Sequence, residues 1–131
     1  MDMEITFAGN KRVGAEYKGF RIETDQPVEA GGDGTALSPF DLFLVSLGTC
    51  AGFFVLQFMQ QRNLSTDDAR VIMSTERDPE TRLISKIKID IKLPADFPEK
   101  YKAAVIRAAE LCTVKRHLEQ PPTFEIQTTL G

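Results

Sequence analysis

Ser38-Pro39-Phe40-Asp41-Leu42-Phe43-Leu44-Val45-Ser46-Leu47-Gly48-Thr49-Cys50-Ala51-Gly52-Phe53-Phe54-Val55-Leu56-Gln57-Phe58-Met59 is the stretch whose reading decides the fold. Ser38 is a good N-cap, Pro39 suits the first helical position, and Asp41 stands where an S-x-x-D capping box places its acid, so a helix is predicted to begin here. From Leu42 to Met59 no residue is charged. Apolar side chains occupy every face instead of one stripe, the pattern of a helix buried all round. Cys50 lies in its middle. The same 18 uncharged residues would just span a bilayer, and Gly48-x-x-x-Gly52 has the spacing of a membrane helix pair. Ser46, Thr49 and Gln57 interrupt the run, no Trp or Tyr marks its ends, and acid-containing segments of β character flank it, so a core helix is the better reading.

Upstream, Glu4 to Ala8 reads as a strand with Ile5 and Phe7 on one face, and Val13, Ala15 and Tyr17 alternate in the same way after Gly9-Asn10. Lys18-Gly19 is predicted to turn tightly into a third strand carrying Phe20 and Ile22. Asp25 to Leu37 holds Pro27, Gly31, Gly32 and Gly34 without periodicity and reads as a flexible connection. It has no following Lys-Ser or Lys-Thr and no G-x-G-x-x-G, so a nucleotide site is unsupported.

Downstream, Ala69, Val71 and Met73 mark a strand. Ile87, Ile89, Ile91 and Leu93 then alternate strictly with Lys86, Lys88, Asp90 and Lys92, and the two strands are expected to pair as an antiparallel hairpin around Asp78-Pro79-Glu80. Beyond Pro94 to Pro98, the stripe Tyr101, Val105, Ala108, Cys112 predicts a second amphipathic helix with Cys112 on its inward face near the end. A short turn over Thr113 to Leu118 and a last strand over Phe124 to Gln127 complete the chain. The element order predicts an α+β fold of mainly antiparallel sheet around a long buried helix. A helix apolar on all sides needs cover all round, and a second copy of the chain is the simplest supplier.

With 131 residues the chain is expected to be one domain, 1–131, with a real core. A net charge of -3 offers nothing to nucleic acid or to anionic membranes. Two acids and no apolar run in Met1-Asp2-Met3-Glu4-Ile5 argue against a signal peptide, and the expected location is the cytoplasm. Two cysteines are too few for a disulfide scaffold; each is either a small core hydrophobe or part of a reactive pair. The thiolate is the reactive form, and burial raises a thiol pKa. Cys50 is far from the N-terminus of its own helix, so activation needs a cation brought from elsewhere. If Cys112 packs against Cys50, one thiol could take oxygen from a peroxide and the other condense with the sulfenic acid. His117 lies five residues past Cys112, off its face in one continuous helix, and is read as solvated beside Lys115 and Arg116, without a metal site.

Ser38-Pro39 with Leu42, Gly48-Thr49-Cys50, and Leu111-Cys112-Thr113-Val114-Lys115-Arg116-His117-Leu118 together resemble the OsmC/Ohr family over nearly the whole chain. The resemblance implies an intertwined homodimer with active sites near the subunit interface. It also implies thiol-dependent reduction of organic hydroperoxides without metal or prosthetic group, Cys50 being the peroxidatic thiol, Cys112 the resolving thiol, and an external dithiol the reductant. In the peroxidase branches a Glu ten residues before the reactive cysteine pairs with an Arg from the N-terminal strands. Here that position is Phe40, while Arg12 best matches the early loop that carries the Arg, with Arg21 the alternative. Asp41 is no substitute, because nine residues at about 100° each put it on the opposite side of the helix from Cys50 and about 13 Å along it. Phe43, Phe53, Phe54 and Phe58 would select apolar peroxides if some of them line a pocket. The rival reading keeps the fold without the chemistry, as a protein binding a small apolar ligand at the interface, and Phe40 favours it.

Overall fold

Residues 2–131 are described by a computed structural model, in which the chain forms two compact units, Met1–Val45 and Ser46–Gly131. The first unit is built on an antiparallel sheet of β1 (Glu4–Gly9), β2 (Arg12–Tyr17) and β3 (Phe20–Thr24), in the order β1-β2-β3. Lys18 and Gly19 both have positive φ, 53° and 81°, and join Tyr17 to its partner Phe20 in a two-residue turn. That is the geometry whose twist matches paired strands. The register sets Ile5 beside Ala15, Phe7 beside Val13 and Ala15 beside Ile22, so one face of the sheet is apolar across all three strands. This face is open: Phe7 and Phe20 are 83% and 73% exposed.

The connection after β3 is ordered, contrary to the expectation of a flexible one. Asp25 is fully buried. Its carboxylate accepts hydrogen bonds from the backbone N–H of Gln26 (2.7 Å), Asp33 (3.4 Å) and Thr35 (3.0 Å) and from the Thr35 hydroxyl (2.6 Å). A polar side chain satisfying several main-chain donors organises a loop that lacks repeating backbone bonds. Gly32 is packed so closely that a Cβ there would lie 2.0 Å from the Gln26 carbonyl oxygen.

Helix α1 (Pro39–Gln61) starts where the sequence places it, with the Asp41 N–H donating to Ser38 Oγ at 3.2 Å. By length and composition it could cross a membrane. Its stripe Leu47, Ala51, Val55, Phe58 and Met59 is nevertheless buried in the second unit, as a core helix. Burial all round does not occur within one chain: Phe53 and Leu56, on other faces, are exposed. Strands β4 (Arg70–Arg77) and β5 (Ile84–Lys92) form the predicted hairpin. The core joins Val55, Phe58 and Met59 to Phe97 and to Val105 of α2 (Lys102–Ala109), with Val71, Ile91 and Tyr101 packed around them.

Two expectations fail at the C-terminal end. The second helix stops at Ala109, and Cys112 lies beyond it as the N-cap of a separate helix, α3 (Thr113–Glu119). Bonds from Leu111 N–H to Ala108 O and from Cys112 N–H to Ala109 O tighten the chain into i→i−3 turns, which end the α-helical ladder. Phe124 to Gln127 is not a strand: among the described residues no strand pairs with it, and Phe124 and Ile126 are exposed.

Candidate functional site

Helix α1 carries Cys50 one turn after Leu47, and the loop from α2 to α3 brings Cys112 onto that turn. Cys112 is buried, with its thiol 4.0 Å from the Leu47 carbonyl oxygen, and its sulfur accepts the Lys115 N–H at 3.5 Å. The N-terminal end of α3 is thereby set against the middle of α1. Cys50 is half-buried, and the Val114 and Thr113 N–H groups, the Thr113 hydroxyl and the Cys112 thiol all act on its titration.

The two thiols therefore differ. Burial pushes Cys50 up, but the Val114 N–H, the Cys112 thiol and the two Thr113 donors together outweigh it, and its pKa falls below the ordinary thiol value. Burial likewise pushes Cys112 up. The Lys115 and Val114 N–H groups oppose that, but the hydrogen bond it gives to Cys50 and the negative charge there add to it, so its pKa is raised. Cys50 is thus the more acidic and Cys112 the less acidic thiol of the two.

The activation was expected from a cation. The groups that lower the Cys50 pKa are instead uncharged ones, chiefly peptide N–H groups at the start of α3, which its own ladder leaves unused. The signal was faint: the sequence placed a short turn at Thr113 to Leu118, but nothing local showed which thiol its first residues would meet.

Arg12 opens β2 in the first unit, where its guanidinium bonds the Asp33 carboxylate at 3.1 Å. Arg21 bonds Glu23 and Glu16 across the same sheet. Phe40 lies in the first turn of α1, its ring centroid 5.7 Å from that of Phe43. His117 is exposed, with Nδ1 2.7 Å from the Thr113 carbonyl oxygen, which makes Nδ1–H the donor. Gly48 sits against β4, where a Cβ would lie 3.7 Å from the Met73 sulfur, while Gly52 faces open space.

Comparison with known proteins agrees with this architecture. A putative osmotic stress induced and detoxification response protein from Psychrobacter arcticus superimposes with a TM-score of 0.73 at 23% identity, over 87% of this chain and 85% of that one. The OsmC like protein from Mycoplasma pneumoniae gives 0.70 at 13% identity, over 92% and 87%. An organic hydroperoxide resistance protein OsmC from Legionella pneumophila, described as a predicted redox protein, gives 0.53 at 19% identity, over 89% and 87%. No curated protein sequence matches the chain. The family profile described as OsmC-like protein matches residues 32–127, which contain both cysteines, and the chain belongs to the OsmC-like family.

Proposed function

We propose that this chain reduces organic hydroperoxides through Cys50 and Cys112 in oxidative stress defence, as a cytoplasmic homodimer served by an external dithiol. The observation that carries the reading is the seating of Cys112 on the turn of α1 that carries Cys50, its sulfur 4.0 Å from the Leu47 carbonyl oxygen, and the lowered pKa of Cys50 beside the raised pKa of Cys112 agrees with it. The Cys50 sulfur attacks the outer oxygen of the hydroperoxide. The O–O bond breaks, the alkoxide leaves and takes a proton from solvent, and Cys50 becomes a sulfenic acid. Cys112 then attacks the Cys50 sulfur and water departs, leaving a disulfide. Exchange with a dithiol returns both thiols and oxidises the reductant. The description of the Legionella relative as a hydroperoxide resistance protein supports the same reaction class. A second copy would cover the apolar face of the β1-β2-β3 sheet and the exposed Phe53 and Leu56 of α1, surfaces that one chain leaves to water.

The test mixes reduced protein with an alkyl hydroperoxide and follows peroxide loss and free thiols in wild type, Cys50→Ser and Cys112→Ser. Wild type consumes peroxide and loses two thiols per chain; Cys112→Ser turns over once and stops at the sulfenic acid. If peroxide disappears no faster with wild type than with Cys50→Ser, the reading fails. The binding-protein alternative, favoured by Phe40 at the family's acidic position, then takes its place. Sizing by gel filtration checks the dimer, and a stable monomer overturns it.

A further inference from the structure

Beyond Val105, Cys112 is the buried residue that holds the rest of the chain to its core: of residues 113–131, Val114 is half-buried and every other one is exposed. Helix α3 has seven residues and fully buries none of them. A helix that short is unstable by itself in water and depends on its cap and on what it rests against. Here both come from one atom. The Cys112 sulfur accepts the Lys115 N–H at 3.5 Å as the cap, and the same thiol donates to the Leu47 carbonyl oxygen of α1 at 4.0 Å. The tight turns at Leu111 and Cys112 end the ladder of α2, so that ladder does not continue into α3 to steady it.

The thiol that makes both contacts is also the one that the proposed reaction consumes. When Cys112 attacks the sulfenic acid of Cys50, the S–H bond of Cys112 and the S–O bond of Cys50 break, an S–S bond forms, and the proton and hydroxyl leave as water. We propose that α3 is a redox-sensitive gate, folded on α1 while Cys112 is a thiol and opened at its first turn when the Cys50–Cys112 disulfide forms. The oxidised sulfur has no proton for the Leu47 carbonyl, and turning toward Cys50 takes it off the line to the Lys115 N–H. Helix α3 then loses its cap and a tie to α1 in one step. Opening uncovers Cys112, 3% exposed as a thiol, to the external dithiol, which must reach a sulfur of the disulfide to reduce it. Reduction restores the proton and the cap, and the gate closes. The inference rests on the reading of the two cysteines as a reacting pair.

The experiment compares hydrogen exchange of peptides covering residues 113–120 in the reduced protein and in protein oxidised by diamide, which takes up the hydrogens of both thiols as it becomes the hydrazine. Free thiols are counted in the same samples. A lost cap raises the opening equilibrium of a helix roughly fivefold, so exchange over 113–120 speeds up about fivefold on oxidation while β5 exchanges as before. Trypsin cleavage after Lys115 and Arg116 rises by about the same factor. Cys50→Ser keeps the Cys112 thiol and its cap and cannot close the disulfide, so diamide leaves its exchange over 113–120 at the reduced wild-type rate. Two thiols lost per chain with exchange over 113–120 unchanged or slowed overturns the gate and leaves the peroxidase reading standing. Equal acceleration in β5 also overturns it, since the loosening is then not local to α3. Thiols that survive both diamide and an alkyl hydroperoxide overturn the two readings together.

Discussion

The thiol of Cys112 points back at the Leu47 carbonyl oxygen across 65 residues of sequence, at 4.0 Å, and this contact seats the start of α3 on the turn of α1 that carries Cys50. Cys112 thus caps α3, and in the proposed reaction it is also the resolving thiol. Removing it should disturb both.

Replacing Cys112 by Ala is expected to lower stability by about 1–2 kcal/mol through the lost cap and the small cavity, and to raise the Cys50 midpoint by removing a donor. Ser keeps a capping oxygen and a donor and should show the smaller change in each. Urea unfolding and the alkylation midpoint read the two effects separately. Equal stability of the Ala variant and wild type would show that the cap contributes nothing.

Folding should respond to pH with opposite signs at the two thiols. The native Cys50 releases its proton at lower pH than the unfolded chain, so it contributes stability above the ordinary thiol pKa that is lost as pH falls through its folded value. Cys112 has a raised pKa; its contribution is present below the unfolded value and lost as pH rises through the folded one. Cys112→Ser should therefore flatten the loss of stability above neutral pH relative to wild type, measured as urea midpoints under reducing conditions from neutral to pH 10.

Asp25 gives the acid limb. Its hydrogen bonds from the Thr35 hydroxyl and N–H, joined by the Gln26 and Asp33 N–H groups against the opposing effect of burial, hold its carboxyl far below the ordinary carboxylate value. The stabilisation is complete above that ordinary value and disappears as pH falls below it. Asp25→Asn should start less stable at pH 7 and lose less on acidification. Parallel curves for the two proteins between pH 7 and 3 would contradict the role of the loop carboxylate.

Two glycines separate close approach from open room. Gly32→Ala drives a Cβ into the Gln26 carbonyl, and backbone must move, at a cost of about 3 kcal/mol or more. Gly48→Ala puts its Cβ 3.7 Å from the Met73 sulfur, an ordinary contact, and should be neutral or stabilise by up to about 1 kcal/mol through helix propensity. Thermal melts of the two variants give the contrast.

At the other end of α1, the Arg62 guanidinium lies 3.6 Å from the Phe58 ring centroid and donates to the Phe58 carbonyl oxygen at 3.1 Å, closing the helix terminus. Arg62→Ala is expected to destabilise by about 1–2 kcal/mol, and Lys to restore only part of it, since an ammonium lacks the flat face that stacks on the ring. A full rescue by Lys in urea titrations would show that charge alone matters there.

The local elements were legible because each depends on neighbours within a few residues. Ser38 starts α1, Lys18-Gly19 turns β2 into β3, and the alternation from Ile87 to Ile91 makes β5, all through local capping, turn and period-two physics. The failures have a common cause. The Asp25 loop takes its order from one carboxylate reaching Thr35 ten residues later, which composition rich in glycine hides. The segment Phe124 to Gln127 has the alternation of a strand, but a strand exists only against an edge.

The sequence by itself determined that a long apolar helix would carry one thiol in an α+β protein, since capping and hydropathy are properties of the chain in order. Only the tertiary structure decided that Cys112 leaves the second helix to cap a third. It also decided that Cys112 would meet the Leu47 turn of α1 that carries Cys50, a contact made by elements more than 60 residues apart. Hydrogen bonds at such separations depend on how the helices pack, and no local pattern encodes that.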